Sequence, residues 1–145
     1  MGGSCNDRNY SRKINKVARR KALAATLAKK YADGEVILVS SFDFSSPKTA
    51  DAKGILSSLG TIKGVEDIAE RGRQAALVVL PERDENTEKS FRNFGSVLVS
   101  QAKDINPIQL LSYKYVVVTE PELALSILAK RVDPKDSADA KTKTK

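Results

Sequence analysis

Hydrophobic positions along the chain form short continuous runs that alternate with longer amphipathic stretches. The runs predict four strands, at Glu35–Ser41, Ala75–Leu80, Val97–Ser100 and Tyr115–Thr119. The first run, EVILVSS, is dense in β-branched residues, as is typical of a strand buried on both faces. Strands that alternate with helices imply right-handed βαβ crossovers and a parallel sheet. We therefore expect an α/β fold, a three-layer α/β/α sandwich with a four-stranded parallel sheet.

Start and stop signals place the helices between these strands. The first is predicted from its N-cap Asn15 to about Ala32, and Asp33-Gly34 ends it. Its apolar stripe spans about 140° of arc and consists of Val17, Leu23, Ala24, Leu27, Ala28 and Tyr31. Another helix is predicted at 47–59, with Ser46 as cap and Pro47 as first helical residue. The remaining ones are predicted at about 65–71, 84–94, 106–112 and 119–131.

The chain is long enough for one domain. We assign residues 8–132 to it, and we expect residues 1–7 to be a flexible N-terminus. Residues 133–145, DPKDSADAKTKTK, contain no apolar residue larger than Ala. Such a segment cannot bury enough surface to offset its ordering entropy, so it is predicted to be a disordered tail.

Positive charge is concentrated near the start of the chain. The net charge is +7, yet residues 8–30 carry nine basic residues and no acidic one. A basic segment on an otherwise near-neutral domain indicates a polyanion partner, with nucleic acid as the first candidate. Lys16, Arg19, Arg20 and Lys21 lie in the first turns of the predicted helix, where cations oppose the helix dipole, whereas Lys29 and Lys30 complement it at the other end. A partner therefore explains the first cluster better than local stability does, and a merely solvated face is the alternative.

Residues suited to catalysis or metal binding are scarce. The chain has no His, the commonest general acid or base, and its one Cys, Cys5, cannot form an internal disulfide. Asp43, Asp84 and Glu120 follow predicted strands, where parallel sheets bind ligands, so a receiver-like, Mg²⁺-dependent phosphoryl site is an alternative. No Gly-rich phosphate loop accompanies them, and acids also favour helix N-termini. We expect no enzymatic activity, no cofactor and no bound metal.

The sequence contains no apolar run near the ~20 residues that span a bilayer, and its start lacks the apolar core of a secretory signal. A single Cys gives no indication of an oxidising compartment. We expect a cytoplasmic protein with no membrane partner.

The basic segment also carries a family signature. Residues 8–23 resemble the R-x-Y-S-x-K-x-N-K-x-x-R-R-x-A-L motif of the universal large-subunit ribosomal protein L-four family. Further matches follow in the same order along the chain, at Pro47-Lys48-Thr49, Asp84-Glu85-Asn86 with Arg92-Asn93, Ile105-Asn106-Pro107 through Leu110-Leu111, and Val116–Thr119. Together they cover about residues 8–131, and the family fold is similarly α/β with a four-stranded parallel sheet.

The resemblance implies a structural constituent of the large ribosomal subunit that binds large-subunit rRNA early in assembly, beside neighbouring ribosomal proteins. Its contacts are expected mainly to phosphates and to RNA shape. The residues that it implies for RNA contact are Arg8, Tyr10, Ser11, Arg12, Lys13, Asn15, Lys16, Arg19, Arg20, Lys21, Lys48, Asn86, Arg92 and Asn93. Some bacterial members also bind their own mRNA leader, which is a further candidate partner. The alternative is an off-ribosome regulatory RNA-binding or protein-interaction module that uses the same surface.

The sequence also departs from the family. A strand-and-helix segment and a long basic loop that reaches the peptide exit tunnel precede the arginine motif in the family, and we find no counterpart here. Contact with the tunnel or with macrolides is therefore not expected. The chain is interpreted as a fragment, a split product or a divergent member. Residues 61–73 are interpreted as an insertion.

Overall fold

Five α-helices and four β-strands alternate along residues 12–132, the part of the chain that the computed structural model describes. The helices are α1 (Lys16–Ala32), α2 (Thr49–Leu59), α3 (Glu85–Phe91), α4 (Pro107–Ser112) and α5 (Pro121–Val132). The strands are β1 (Val36–Val39), β2 (Ala76–Leu80), β3 (Val97–Gln101) and β4 (Tyr115–Thr119). A 3-10 helix, Glu66–Ile68, lies between α2 and β2. The predicted flexible N-terminus and disordered tail lie outside the described residues.

All four strands are parallel, in the order β1-β4-β2-β3. Register places Val36 beside Val116, and Ala76 beside both Tyr115 and Val97. Every residue of the central strands β2 and β4 is buried. The predicted four-stranded parallel sheet is therefore confirmed.

Alternate residues of the strands build two hydrophobic cores, one on each face of the sheet. On the first face, Val78 and Val117 pack in one cluster. Its other members include Leu56 of α2, Ile68 of the 3-10 helix and Phe91 of α3. On the second face, the strand residues Leu77, Val79, Val116 and Val118 pack with Leu23 of α1, Leu110 of α4 and Leu128 of α5. Helices thus cover both faces, and the architecture is the predicted three-layer α/β/α sandwich.

β1 differs from its prediction. It was expected to be buried on both faces, but it is a four-residue edge strand, and the Leu38 side chain is 55% exposed. The prediction was wrong because β1 has a hydrogen-bonded neighbour, β4, on one side only. Apolar composition alone does not distinguish an edge strand from a central one.

α1 has the predicted bounds but not the predicted stripe. Asn15 Oδ1 accepts a hydrogen bond from Val17 N at 2.9 Å, and beyond the end of the helix Gly34 adopts a φ of +71°, a value that favours glycine. Leu23 is buried, as expected, whereas Val17 and Tyr31 at the two ends of the stripe are 51% and 77% exposed. α1 therefore packs through its middle, against α4 and α5.

Three other predicted helices are shorter in the structure. α2 begins at Thr49 rather than Pro47, because Lys48 is extended and donates its backbone N–H to Ser90 Oγ at 3.0 Å. α3 ends at Phe91 rather than Phe94, in a turn that leads directly to β3. Of residues 65–71, only the 3-10 helix forms. α4 starts as predicted, with a reciprocal capping box between Asn106 and Gln109, which satisfies first-turn amides.

Candidate nucleic-acid interface

The start of α1 presents a basic surface to solvent. Arg12, Lys13, Lys16, Arg19 and Lys21 are exposed, and Arg20 is half-buried. The first turn of α1 contains no acidic residue. We call Lys16, Arg19, Arg20 and Lys21 the α1 basic cluster. The predicted contact residues Arg8, Tyr10 and Ser11 lie outside the described residues.

The charge of the α1 basic cluster is not neutralised within residues 12–132. Five ion pairs form in this part of the protein, and each uses a cation elsewhere: Lys29 with Asp33, Lys30 with Glu35, Arg83 with Glu88, Lys89 with Glu85, and Lys114 with Asp67. Since cations in the first turns also oppose the helix dipole, the described fold gains no local stabilisation from this charge.

A pocket of about 240 Å³ opens beside the cluster, between α1, the start of α4 and the end of α5. It is lined by Lys16, Arg19, Arg20, Leu23, Ile105, Asn106, Pro107 and Arg131. We call it the basic pocket. Three members of the α1 basic cluster thus share one concave surface with Arg131, a fourth cation that is distant in sequence.

Arg131 is held in place by the backbone of the segment before α4. Its Nη1 donates to the carbonyl oxygen of Ala102 at 2.9 Å, and its Nη2 donates to that of Ile105 at 2.7 Å. Burial lowers the pKa of Arg131, Asp104 opposes this shift, and the positive charge of Arg19 lowers the pKa further. The guanidinium nevertheless stays charged, because arginine is not deprotonated in proteins.

The other predicted contact residues lie on the opposite side of the sheet. Lys48, Arg92 and Asn93 are exposed beside α2 and α3, which pack on the first face, whereas α1 packs on the second. Asn86 is half-buried, and its Nδ2 donates to the carbonyl oxygen of Phe44 at 2.9 Å. The structure therefore groups Lys16, Arg19 and Arg20 and separates them from Lys48, Arg92 and Asn93.

Sequence reasoning did not identify Arg131 and Asn106 as part of this surface. The sequence signal for Arg131 is ambiguous, because a basic residue in a last helical turn is also the ordinary complement of the helix dipole. Its place beside Arg19 depends on how α5 docks against α1, which no local pattern specifies.

The carboxylates at the strand ends have structural roles or are exposed. Asp84 caps α3: its carboxylate accepts hydrogen bonds from Thr87 Oγ1 and from the backbone N–H groups of Asn86 and Thr87. These bonds, that of the Thr87 hydroxyl first, hold the pKa of Asp84 below its ordinary value. Asp43 and Glu120 are exposed. Across residues 12–132, no group of three or more His, Cys, Asp or Glu side chains could hold a metal ion.

None of the helices described above combines the length and the apolar character needed to cross a bilayer.

Comparison with known proteins places the chain among ribosomal proteins. The sequence model described as "Ribosomal protein L4/L1 family" matches residues 2–127. The "Large ribosomal subunit protein uL4" of Campylobacter fetus is 35% identical over 121 residues, which are 83% of this chain and 53% of the relative. Those of Solibacter usitatus and Staphylococcus haemolyticus are 36% and 34% identical, each over 78% of this chain and 49% of the relative.

The chain therefore spans about half the length of these curated relatives. The matched region contains the whole sheet, the α1 basic cluster and most of α5. Because the family model covers far more than half of this sequence, the chain belongs to the ribosomal protein L4/L1 family.

Proposed function

We propose that this protein is a constituent of the large ribosomal subunit and binds rRNA through the α1 basic cluster and the arm that precedes α1. The observation that carries the proposal is the uncompensated charge at the start of α1, in a chain whose relatives are named large-subunit proteins. Neighbouring ribosomal proteins are the other expected partners. Such a role requires no catalytic chemistry, in agreement with a family of ribosomal proteins rather than enzymes.

The chemistry of the cluster favours contacts to the RNA backbone. Arg19 and Arg20 each offer a planar guanidinium, which can donate two parallel hydrogen bonds to a phosphate, and Lys16 adds a compact charge. Cations that neutralise phosphates release counterions from the nucleic acid, and this release favours binding at low salt. Such contacts fix the position of the protein on RNA without reading its sequence.

Asn15 has a different role in this proposal. Its Oδ1 is already engaged by Val17 N, so the side chain fixes where α1 begins and thereby positions Lys16 and Arg19. Asn86 likewise anchors the Phe44 segment through its amide nitrogen. We therefore assign Asn15 and Asn86 to positioning, and Lys48, Arg92 and Asn93 to a second, separate RNA surface.

The proposal is tested by replacing Lys16, Arg19 and Arg20 together with Gln. Neutral Gln is a good helix former, so α1 should persist. If each cation neutralises one phosphate, the slope of log K against log salt for an rRNA transcript should fall by about 2–3 units, at roughly 0.7–0.9 per contact. A matched control replaces Lys141, Lys143 and Lys145 with Gln, which removes equal charge outside the described residues and should change the slope much less.

Equal effects of the two triple variants would contradict the proposed site, because the cluster would then be a diffuse source of positive charge. The ribosomal role has its own test, co-sedimentation of the tagged protein with large subunits in high-salt gradients. We expect co-sedimentation that the α1 triple variant weakens. A pool that stays free of subunits would overturn the ribosomal role and favour the off-ribosome regulatory alternative.

A further inference from the structure

We infer that the basic pocket is a binding site for a single backbone phosphate of RNA, with Arg131 as its preorganised contact and Arg19 as the partner cation that closes on the same phosphate. This inference rests on the proposed function. It extends that function to Arg131, which lies more than 100 positions from Arg19 in the sequence.

The first support is the convergence of cations in a space of suitable size. Lys16, Arg19 and Arg20 reach the pocket from α1, and Arg131 reaches it from α5. The volume of about 240 Å³ is several times the ~30 Å³ that one water molecule occupies. The pocket therefore has room for a phosphate group together with bridging water.

The second support is the preorganisation of Arg131. Two of its N–H groups are held by the carbonyl oxygens of Ala102 and Ile105, and a guanidinium has five N–H donors. Three donors therefore remain for a ligand. Because the side chain is already ordered, binding costs little additional rotamer entropy. An exposed arginine lacks this advantage.

The third support is electrostatic. Arg19 and Arg131 bring like charges to the same pocket. Burial is the main cause of the lowered pKa of Arg131, and the charge of Arg19 lowers it further. A role limited to fastening α5 explains the two carbonyl contacts of Arg131. It does not explain why three further cations line the same pocket. A bound phosphate would relieve the repulsion between these cations and link α1 to α5.

The test compares Arg131→Gln with Lys130→Gln, which removes an exposed charge from the same helical turn. Binding of an rRNA transcript is measured over a range of salt concentrations. For Arg131→Gln we expect about tenfold weaker binding, the effect of losing one charge-assisted contact, and a slope lower by about 0.7–0.9. Lys130→Gln should change both quantities much less. Equal effects of the two variants would overturn the inference.

Since Arg131 also supports α5, two further measurements separate binding from folding. Arg19 is exposed and makes no ion pair within residues 12–132, so Arg19→Gln should leave the fold intact. If both arginines hold one phosphate, the affinity losses of Arg19→Gln and Arg131→Gln should be clearly less than additive in the double variant. Additive losses would place the two arginines on different phosphates and contradict the inference.

The second measurement uses inorganic phosphate as the probe. At constant ionic strength, phosphate should raise the Tm of the wild type more than chloride does, and this difference should disappear in Arg19→Gln. An unchanged difference would overturn the pocket as an anion site. If phosphate binds but Arg131→Gln leaves RNA affinity unchanged, the pocket takes free phosphate and the RNA assignment is wrong. If the α1 triple variant lowers the slope of log K against log salt but Arg131→Gln does not, the inference fails while the proposed function stands.

Discussion

The ammonium of Lys30 lies 2.6 Å from Glu35 Oε2 and also donates to the carbonyl oxygens of Tyr113 and Lys114, each at 2.8 Å. All three of its donors are therefore engaged. The side chain of Lys30 is only 11% exposed, compared with 75% for Lys29. Since Glu35 also accepts a backbone hydrogen bond from Val116, this arrangement fastens the end of α1 to the segment where β1 and β4 begin to pair.

Replacing Lys30 with Met should therefore destabilise the fold. Glu35 and two carbonyl oxygens would lose their donor, so we expect the free energy of unfolding to fall by about 2–3 kcal/mol. Urea denaturation measures the change, with Lys29→Met as the control. The Lys29 pair with Asp33 is solvent-exposed, and exposed pairs contribute little. Similar midpoints for the two variants would show that the buried arrangement adds no stability.

Lys30 also illustrates where sequence reasoning is limited. Two consecutive lysines at a helix end predict dipole complementation equally for both, yet α1 turns one toward Glu35 and leaves the other in solvent. Which lysine is buried depends on the position of the turn between α4 and β4. That position is set by tertiary packing, so no window of sequence around Lys30 contains it.

Asp84 provides a test that depends on pH. Its carboxylate caps α3 through Thr87 and Asn86, and its pKa in the folded protein is lowered from 3.8. A lowered folded-state pKa means that the stabilisation is fully present above about pH 4 and is lost as the pH falls through the folded-state value. Asp84→Ala should lower the free energy of unfolding by about 1 kcal/mol at pH 7.

The measurement is a series of thermal melts of wild type and Asp84→Ala from pH 7 to pH 2. The difference in Tm should stay constant down to about pH 4 and shrink below it. Asp84→Asn keeps the capping oxygen and removes the titration, so its stability should show less acid dependence than that of the wild type. A difference that persisted unchanged at pH 2 would exclude the ionised cap as its cause.

The sheet was predictable where local pattern and packing agree. The runs that became β2 and β4 are apolar throughout and occupy the centre, where both faces are buried. EVILVSS has the same character, but the strand order places it at the edge and leaves Leu38 exposed. Strand order is a property of the crossovers, so composition predicted the number of strands but not which of them lies outside.

The candidate site was predictable only in part, for a similar reason. Lys16, Arg19 and Arg20 are recognised from sequence because their charge opposes the dipole of their own helix. Arg131 has no such local anomaly, and its relation to Arg19 exists only after α5 packs beside α1. The helix-dipole rule identifies a functional cation only where the cation opposes the dipole. A cation that complements the dipole, such as Arg131, can be assigned to the site only from the structure.

The separate surface around Lys48 and Arg92 gives a prediction about RNA length. It lies on the opposite side of the sheet from the α1 basic cluster, so one short RNA cannot reach both. Replacing Lys48 and Arg92 with Gln should lower the salt slope for a long rRNA transcript by about 1.4–1.8 units, the value for two phosphate contacts. This loss should add to that of Arg19→Gln with Arg20→Gln, because distant sites act independently.

Short oligonucleotides bound at α1 provide the control, since their affinity should not depend on Lys48 or Arg92. If the slope for the long transcript is also unaffected, these residues are not RNA contacts. In that case Arg92 would simply complement the dipole at the end of α3, where it is the C-cap residue.

The α1 basic cluster should reduce the stability of the free protein. Lys16 lies in a first turn without acidic residues, and Arg19 repels Arg131. Replacing Lys16, Arg19 and Arg20 with Gln should therefore raise the Tm by about 2–4 °C at low ionic strength, while it weakens RNA binding. The rise should diminish at about 0.5 M salt, because screening weakens interactions between exposed charges. Thermal melts without RNA measure it, with the Lys141, Lys143 and Lys145 triple variant as control. If the Tm falls instead, the cluster stabilises α1 itself, and its charge can no longer be attributed to a partner.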